Sequence, residues 1–123
     1  MRYLCLVYLD EPNVMHRLSP EELGTVQRDC MAYDGALEAS GHLIIAQALQ
    51  GAETAKTLRV REGRLSTTDG PFAETKEILG GFLLIEARDF DEAVRIAAGI
   101  PLARLGSIEV RPVGEPMRPN ARP

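Results

Sequence analysis

The order of strand-like and helix-like segments constrains the fold of this chain more than any other feature of its sequence. Four segments have the apolar content and the length of buried strands: 2–9, 42–46, 81–87 and 107–113. Two predicted helices separate them, one over residues 20–40 and one that begins after Asp89 and ends at Gly99. A chain with this order can place both helices on one face of an antiparallel sheet.

The first helix carries the clearest boundary signals. Ser19 is the expected N-cap, and Glu22 three residues later completes a capping box. Pro20 occupies the first helical position, and Gly41 is expected to end the helix. Apolar residues recur every three or four positions between these signals and predict one buried stripe: Leu23, Val26, Cys30, Tyr33 and Leu37.

A β-hairpin is predicted between the second and third of the four strands. Residues 56–61 and 64–68 alternate in character on either side of Glu62-Gly63, a pair suited to a tight turn. Both arms are rich in Arg and Thr, so we expect one face to be wet. The predicted fold class is therefore α+β, a ferredoxin-like split βαβ arrangement with an inserted β-hairpin.

Two helices leave the opposite face of this sheet uncovered. The first and fourth main strands show no clean polar alternation, so both of their faces look apolar. Exposed apolar patches of that size usually meet a partner. The chain also has only three Phe, three Tyr and no Trp, and oligomerisation adds buried surface to such a core. We expect two sheets packed face to face in a homodimeric α+β barrel.

Length and charge narrow the classes of protein. The 123 residues suit one domain, predicted over 1–113, and the Pro-rich tail 114–123 is expected to be flexible or to lie over a partner subunit. The net charge of −4 argues against a nucleic-acid partner. No apolar run approaches the roughly 18 residues of a membrane helix, and the N-terminal run is too short for a signal peptide. We expect a cytoplasmic protein.

Cysteine and histidine usage gives no sign of a metal or a cofactor. Cys5 lies in the first strand and Cys30 on the helical stripe, so both are expected to be buried free thiols. The only histidines are His16 and His42, and nothing has the spacing of a zinc site. No Gly-rich phosphate loop or nucleophile elbow is present. We expect neither a metal nor a cofactor.

The loop around Asp69-Gly70-Pro71-Phe72 is the segment best suited to carry chemistry. Gly70 and Pro71 fix a sharp turn, and Phe72 then needs a place to bury its ring. One interpretation is a rigid loop pinned by Phe72. The other is a preorganised pocket wall that presents Asp69 as an acid/base and either Glu74 or Lys76 as a ligand contact.

Other candidates lie outside this loop. His16, just before the first helix, could reach a cleft at the strand ends, and the hydroxyl of Tyr8 could point into the same cavity. Arg104 could hold an anionic ligand or form a salt bridge to Asp69 or Glu74. His42 is predicted to be a capping or surface residue. The last strand carries two charged residues that could face a barrel cavity or pair with neighbours on the sheet: Glu109 and Arg111.

The string TDGPFAETKE at 68–77, followed by LGGF at 79–82, resembles the defining motif of the DGPF-type YCII-related proteins. The opening MRYLCLVY, the helix start SPEEL at 19–23 and the closing GSIEVRP at 106–112 also match, so the resemblance covers about residues 1–113. It implies the ferredoxin-like fold and the homodimeric barrel, but no settled activity. Proteins of this type resemble small bacterial proteins often encoded beside extracytoplasmic-function sigma factors.

The resemblance carries over only one site residue, Asp69, as part of a site wall. Some broader YCII-related proteins are thought to carry a His–Asp pair in a cleft. The first helix here contains Asp29 and Asp34 but no histidine, so that pair cannot be assigned by motif.

Three hypotheses remain open at this stage. In the first, the homodimer binds a small molecule in its cavity and performs cofactor-free acid/base chemistry through Asp69, with His16 or Arg104 assisting. In the second, the protein is a regulatory or interaction module that acts with a sigma factor or another protein. In the third, it senses a ligand without turnover. The predicted ligand contacts are Tyr8, Gly70, Pro71, Phe72, Glu74, Lys76 and Arg104.

Overall fold

The computed structural model describes residues 1–10 and 13–114, so all but the first residue of the predicted tail lies outside the described part. Six strands and three α-helices follow one another as β1 (Arg2–Leu9), α1 (Asn13–Arg17), α2 (Pro20–Ala39), β2 (Leu43–Ala48), β3 (Lys56–Arg61), β4 (Arg64–Asp69), β5 (Ile78–Glu86), α3 (Phe90–Ala98) and β6 (Gly106–Pro112). Two short 3-10 turns lie at Ala52–Thr54 and Pro101–Arg104.

Four strands form one antiparallel sheet in the order β2-β5-β1-β6. Together with α2 and α3 this is the ferredoxin-like arrangement, which confirms the predicted fold class. The strands β3 and β4 pair only with each other, in a separate two-stranded sheet. Within the described residues, no helix is long and apolar enough to cross a membrane.

Every second side chain of β1 lies at the centre of the core. Tyr3, Cys5, Val7 and Leu9 are 0–4% exposed, and they pack with buried residues of β5 and α3. The Tyr33 hydroxyl of α2 donates a 2.6 Å hydrogen bond to the Ile96 carbonyl oxygen of α3. The two helices are therefore joined to each other as well as to the sheet.

Both long helices begin as the sequence predicts. The Ser19 hydroxyl accepts from the Glu22 N–H at 3.1 Å, and the Glu22 carboxylate accepts from the Ser19 N–H at 3.2 Å. The Asp89 carboxylate caps α3 by accepting from the Glu92 N–H at 2.8 Å. The apolar stripe of α2 is confirmed in direction, although only Leu37 is fully buried.

The segment before α2 contains a helix that no sequence pattern predicted. Residues Asn13–Arg17 form this short helix, which contains His16. The Val14 N–H donates a 2.8 Å hydrogen bond to the Asp10 carbonyl oxygen, and the Val14 side chain is 6% exposed. One buried apolar residue thus anchors this turn against the domain.

The uncovered face of the sheet is apolar at its centre. Leu4 and Leu6 of β1 lie opposite Leu84 and Phe82 of β5, and all four side chains are half-buried. The expectation for the fourth main strand is wrong, because β6 presents polar residues to this face. There Arg111 and Glu109 form an ion pair with each other, opposite Leu4 and Leu6.

Both faces of the hairpin are largely exposed, with Thr57 and Arg59 half-buried, whereas one wet face was expected. Its turn has positive φ at Glu62 (53°) and Gly63 (75°), the conformation that a tight two-residue hairpin turn requires. Every residue of β4 is exposed. The apolar side chains of one face, Leu58, Val60 and Leu65, are 60%, 60% and 62% exposed.

Both thiols are free. Cys5 is fully buried, as predicted, and desolvation raises its pKa to about 11. Cys30 is only half-buried, which corrects the prediction for that residue.

Candidate functional site

A cavity of about 550 Å³ lies at the end of the four-stranded sheet, beside the loops that lead into and out of the hairpin. Its walls come from the end of β1, the turn after β2 and the loop that joins β4 to β5. The lining residues are Tyr8, Leu49, Gln50, Gly51, Ala52, Thr54, Ala55, Pro71, Phe72, Ala73, Thr75, Glu77, Ile78 and Leu79. Tyr8 and Leu79 also pair across β1 and β5, so the cavity adjoins the uncovered face of the sheet.

The loop that walls this cavity is held at its first turn. Gly70 has φ 104°, a conformation that L side chains rarely adopt, and Pro71 follows with a restricted φ of its own. The Gly70 N–H donates to the Ala55 carbonyl oxygen at 2.8 Å. The Thr57 hydroxyl donates to the Gly70 carbonyl oxygen at 3.0 Å. These two bonds fix the Asp-Gly-Pro turn to the start of β3.

Two charged residues of the loop do not line the cavity. Ala73, Thr75 and Glu77 line it, whereas Glu74 and Lys76 are exposed and do not. The structure therefore does not bring the predicted contacts Glu74 and Lys76 to the cavity.

Glu77 is the only charged residue among the described residues that line the cavity. Its carboxylate accepts a 2.8 Å hydrogen bond from the Ser107 hydroxyl of β6, and its carbonyl oxygen accepts from the Thr75 hydroxyl. The side chain is half-buried. A carboxylate held in this way, beside an apolar wall, can accept a proton from a bound molecule or a hydrogen bond from its hydroxyl.

Phe72 stands at the rim, and the expectation that its ring is buried is wrong. The residue is 78% exposed, and the Arg59 guanidinium lies 5.5 Å from the ring centroid. Such an exposed cation–π contact is worth about 0.5–1 kcal/mol. The ring thus borders the cavity from outside.

Asp69 lies at the base of the hairpin and is not among the cavity's lining residues. Its carboxylate forms a 2.7 Å ion pair with Lys56 Nζ, and its side chain is 86% exposed. An exposed pair of this kind contributes about 0–1 kcal/mol to stability. The position suits closure of the hairpin better than acid/base work in the cavity.

His16 and Arg104 also lie away from the cavity lining. His16 is exposed on α1. Arg104 lies in a separate groove of about 310 Å³, where its guanidinium donates to the Asp29 carboxylate at 3.3 Å. Its partner is therefore neither Asp69 nor Glu74, the two that the sequence analysis considered. His42 packs at the start of β2, 3.4 Å from the Glu92 carboxylate.

The structure thus brings three of the predicted residues, Tyr8, Pro71 and Phe72, to one cavity. It adds Glu77, which the sequence analysis missed. No local pattern marks Glu77, because its hydrogen bond from Ser107 joins segments 30 residues apart. Within the described part of the chain, no three His, Cys, Asp or Glu side chains are placed to hold a metal ion.

Comparison with known proteins agrees with this architecture. The chain is 41% identical over 115 residues to an uncharacterized protein of Rhizobium meliloti (strain 1021), and the match covers 92% of each chain. A solved structure with 18% sequence identity and a TM-score of 0.57 covers 94% of this chain and 96% of its own. It is 5-chloro-2-hydroxyhydroquinone dehydrochlorinase from Burkholderia phenoliruptrix AC1100, in complex with 2,5-dihydroxybenzoquinone. Residues 1–116 match the YCII-related domain, and the chain belongs to this family.

Proposed function

We propose that this protein binds a small, uncharged, hydroxylated ring compound in the cavity beside Phe72, with Glu77 as its acid/base group. The observation that carries the proposal is the cavity itself. Its volume of about 550 Å³ falls within the range of roughly 300–1,000 Å³ that small-molecule sites occupy. Its walls combine apolar side chains with a few polar groups, the usual composition of such sites.

The polar groups of the cavity indicate the chemical class of the ligand. The Tyr8 hydroxyl and the Gln50 amide can donate or accept hydrogen bonds. The Thr75 hydroxyl already donates to the Glu77 carbonyl oxygen and can accept, and Glu77 as a carboxylate only accepts. Among the described lining residues no cation is present to bind an anion. A neutral ring with hydroxyl groups would fit these walls. The structural neighbour, whose name gives a hydroquinone as its substrate and which was solved with a dihydroxybenzoquinone, supports a ring compound of this kind.

Glu77 is the group proposed to move a proton. Because the Ser107 hydroxyl already donates to one oxygen of the Glu77 carboxylate, the orientation of this carboxylate is fixed before a ligand binds. A ligand hydroxyl at the free oxygen could transfer its proton to Glu77 without a cofactor. This assigns to Glu77 the role that the sequence analysis gave to Asp69.

We further propose that a second copy of the chain covers the uncovered sheet face. Leu4, Leu6, Phe82 and Leu84 form a contiguous apolar surface there, and Ile45 at its margin is 41% exposed. Tyr8 lies on the same face and also lines the cavity, so a copy packed on this face would border the cavity mouth.

Binding is tested with resorcinol, a neutral dihydroxylated ring, by isothermal titration calorimetry. Glu77→Gln is expected to weaken binding by about ten-fold, since a charge-assisted hydrogen bond is lost. Ala73→Trp is expected to abolish it by filling the cavity. The matched control Glu74→Gln, one residue nearer the exposed side of the loop, is expected to bind as the wild type does.

Unchanged binding in both Glu77→Gln and Ala73→Trp would overturn the site. If the folded wild-type protein binds no resorcinol, the ligand class is wrong, and the regulatory module linked to a sigma factor becomes the better hypothesis. The homodimer is tested separately by sedimentation. Leu6→Arg is expected to yield monomers, whereas Met31→Arg, at a 75% exposed position of α2, is expected to leave the assembly unchanged.

A further inference from the structure

A second cavity, of about 180 Å³, lies on the opposite face of the sheet, between α2 and the strands β2 and β5. Its sheet wall includes Ala46 and Leu83, which face the helices. Its helix wall is formed by Cys30 and Asp34, one turn apart on α2. The 3-10 turn after α3 closes the third side. None of these residues lines the cavity at Phe72.

The cavity exists because small residues of the sheet face this part of α2. Ala46, Ala48, Gly80 and Gly81 line it and leave space that larger side chains would fill. Leu37 is the only fully buried residue described on α2, and it lies one turn beyond Asp34. The helix therefore closes on the sheet at its C-terminal end and leaves a gap around Cys30 and Asp34.

Asp34 is an unusual residue for this position. It lies next to Tyr33 and one turn after Cys30 on the side of α2 that faces the sheet, where the pattern otherwise places apolar residues. In the described part of the chain its carboxylate has neither a hydrogen bond nor an ion pair. Burial raises the pKa of this carboxyl from its ordinary value. Its oxygens are not sealed from solvent, since no buried side-chain oxygen of the described residues lacks a partner, so a molecule in the cavity could reach them.

The neighbouring carboxylate of α2 provides the contrast. Asp29, five residues earlier, forms a 3.3 Å ion pair with Arg104 in the adjacent groove. No Lys, Arg or His is found among the described residues that line the cavity of Asp34. The chain thus pairs one carboxylate of the helix internally and leaves the other facing an apolar cavity.

We propose that this second cavity binds a small organic ammonium compound, whose apolar body fills the gap between α2 and the sheet and whose charged nitrogen pairs with Asp34. The volume suits one six-membered ring, because a protein cavity of about 150 Å³ holds benzene. An ammonium group supplies both the opposite charge and the hydrogen-bond donors that Asp34 lacks. This site stands on a different cavity from the proposed resorcinol site and does not depend on it.

The probe is benzylamine, a ring with one ammonium group, and the uncharged comparison is benzyl alcohol. Calorimetry is expected to give benzylamine an affinity about ten-fold or more above that of benzyl alcohol, since only the amine forms a charge-assisted pair. Asp34→Asn is expected to remove this preference. The matched control Asp29→Asn, whose carboxylate lies outside the cavity, is expected to retain it.

Cys30 supplies a second, local readout. Because its thiol lines the cavity, saturating benzylamine is expected to slow its alkylation by iodoacetamide about ten-fold, while Glu77→Gln leaves this protection intact. Ala46→Met fills the gap and is expected to abolish the binding of both probes. Equal benzylamine affinity in wild type and Asp34→Asn would overturn the proposal. Absence of benzylamine binding by the folded wild-type protein would also overturn it.

Discussion

The helix-covered face of β1 and the hairpin β3–β4 are built from similar strands but have opposite environments. Cys5 and Val7 on β1 are 0% and 2% exposed, whereas Leu58 and Val60 on β3 are both 60% exposed. Each strand alternates its side chains between two faces. The difference arises because α2 and α3 cover one face of the main sheet, while β3 and β4 pair with each other in a separate two-stranded sheet.

This contrast places most of the stability in the main sheet with its helices and the candidate site beside the hairpin. An isolated two-stranded hairpin is marginally stable at best, so the hairpin adds little to the core. At its base, however, Thr57 donates to Gly70 and Lys56 pairs with Asp69. These contacts position the loop that walls the larger cavity. The core thus provides the stability that holds the hairpin, and the hairpin places the candidate site, an arrangement common to loops carried by rigid scaffolds.

The largest expected effect is a difference in thiol reactivity between the core and the surface. In the native protein, iodoacetamide should alkylate Cys30 and leave Cys5 protected by about 10³-fold or more, since Cys5 reacts only when the domain unfolds. Its raised pKa of about 11 adds to the protection. Mass spectrometry of a labelling time course measures both rates, and Cys30→Ser isolates the signal of Cys5. Comparable labelling of the two thiols would contradict the burial of Cys5 in the core.

The next effect is energetic. Ile85→Ala deletes a fully buried side chain of β5 and should lower the unfolding free energy by about 2–5 kcal/mol. Leu58→Ala on the hairpin should lower it by about 0.5 kcal/mol or less. Urea denaturation of both variants measures the two values. If the losses are equal, the hairpin is packed in solution against a surface that one chain does not provide.

The smallest effect concerns the helix that covers the core. The hydrogen bond that the Glu92 N–H donates to the Asp89 carboxylate lowers the pKa of Asp89, and the Arg88 guanidinium lowers it further. The cap therefore stabilises the fold fully at pH values above about 3.9, the pKa of aspartate in the unfolded chain. This stabilisation is lost as the pH falls through the lower pKa that Asp89 has in the folded state. Asp89→Asn keeps a capping oxygen without the titration, so its melting temperature should fall less steeply than that of the wild type below about pH 4.

The control for this experiment is Asp91→Asn, which removes a carboxylate from the same turn of α3 without touching the cap. The acid limb of its melting curve should match that of the wild type. Should Asp89→Asn follow the same acid limb as the wild type, the cap contributes no pH dependence.

Features that depend on neighbouring residues in the sequence were predictable. The capping box of Ser19 and Glu22, the Asp89 cap and the Glu62-Gly63 turn all form within a few residues of chain. The order of the main strands and helices followed from their apolar patterns. The short helix at Asn13–Arg17 was missed, because one buried side chain, Val14, anchors it and no periodic pattern marks it.

The candidate site was only partly predictable. Tyr8, Pro71 and Phe72 lie at the larger cavity, while Asp69 pairs with Lys56 outside its lining. Arg104 pairs with Asp29, 75 residues away, a partner that no local pattern indicates.

The four main strands, the hairpin, α2, α3, their order and the rigid turn at Gly70 could be predicted from local patterns, because caps, periodicity and backbone restrictions act over a few residues. Which carboxylates face cavities depends on the packing of distant segments. Glu77 accepts a hydrogen bond from Ser107, and Asp34 lines a cavity together with Ala46 and Leu83 of the sheet, residues far apart in the chain. The sequence specifies the charge of a side chain, whereas the surrounding fold determines its solvation and its partners.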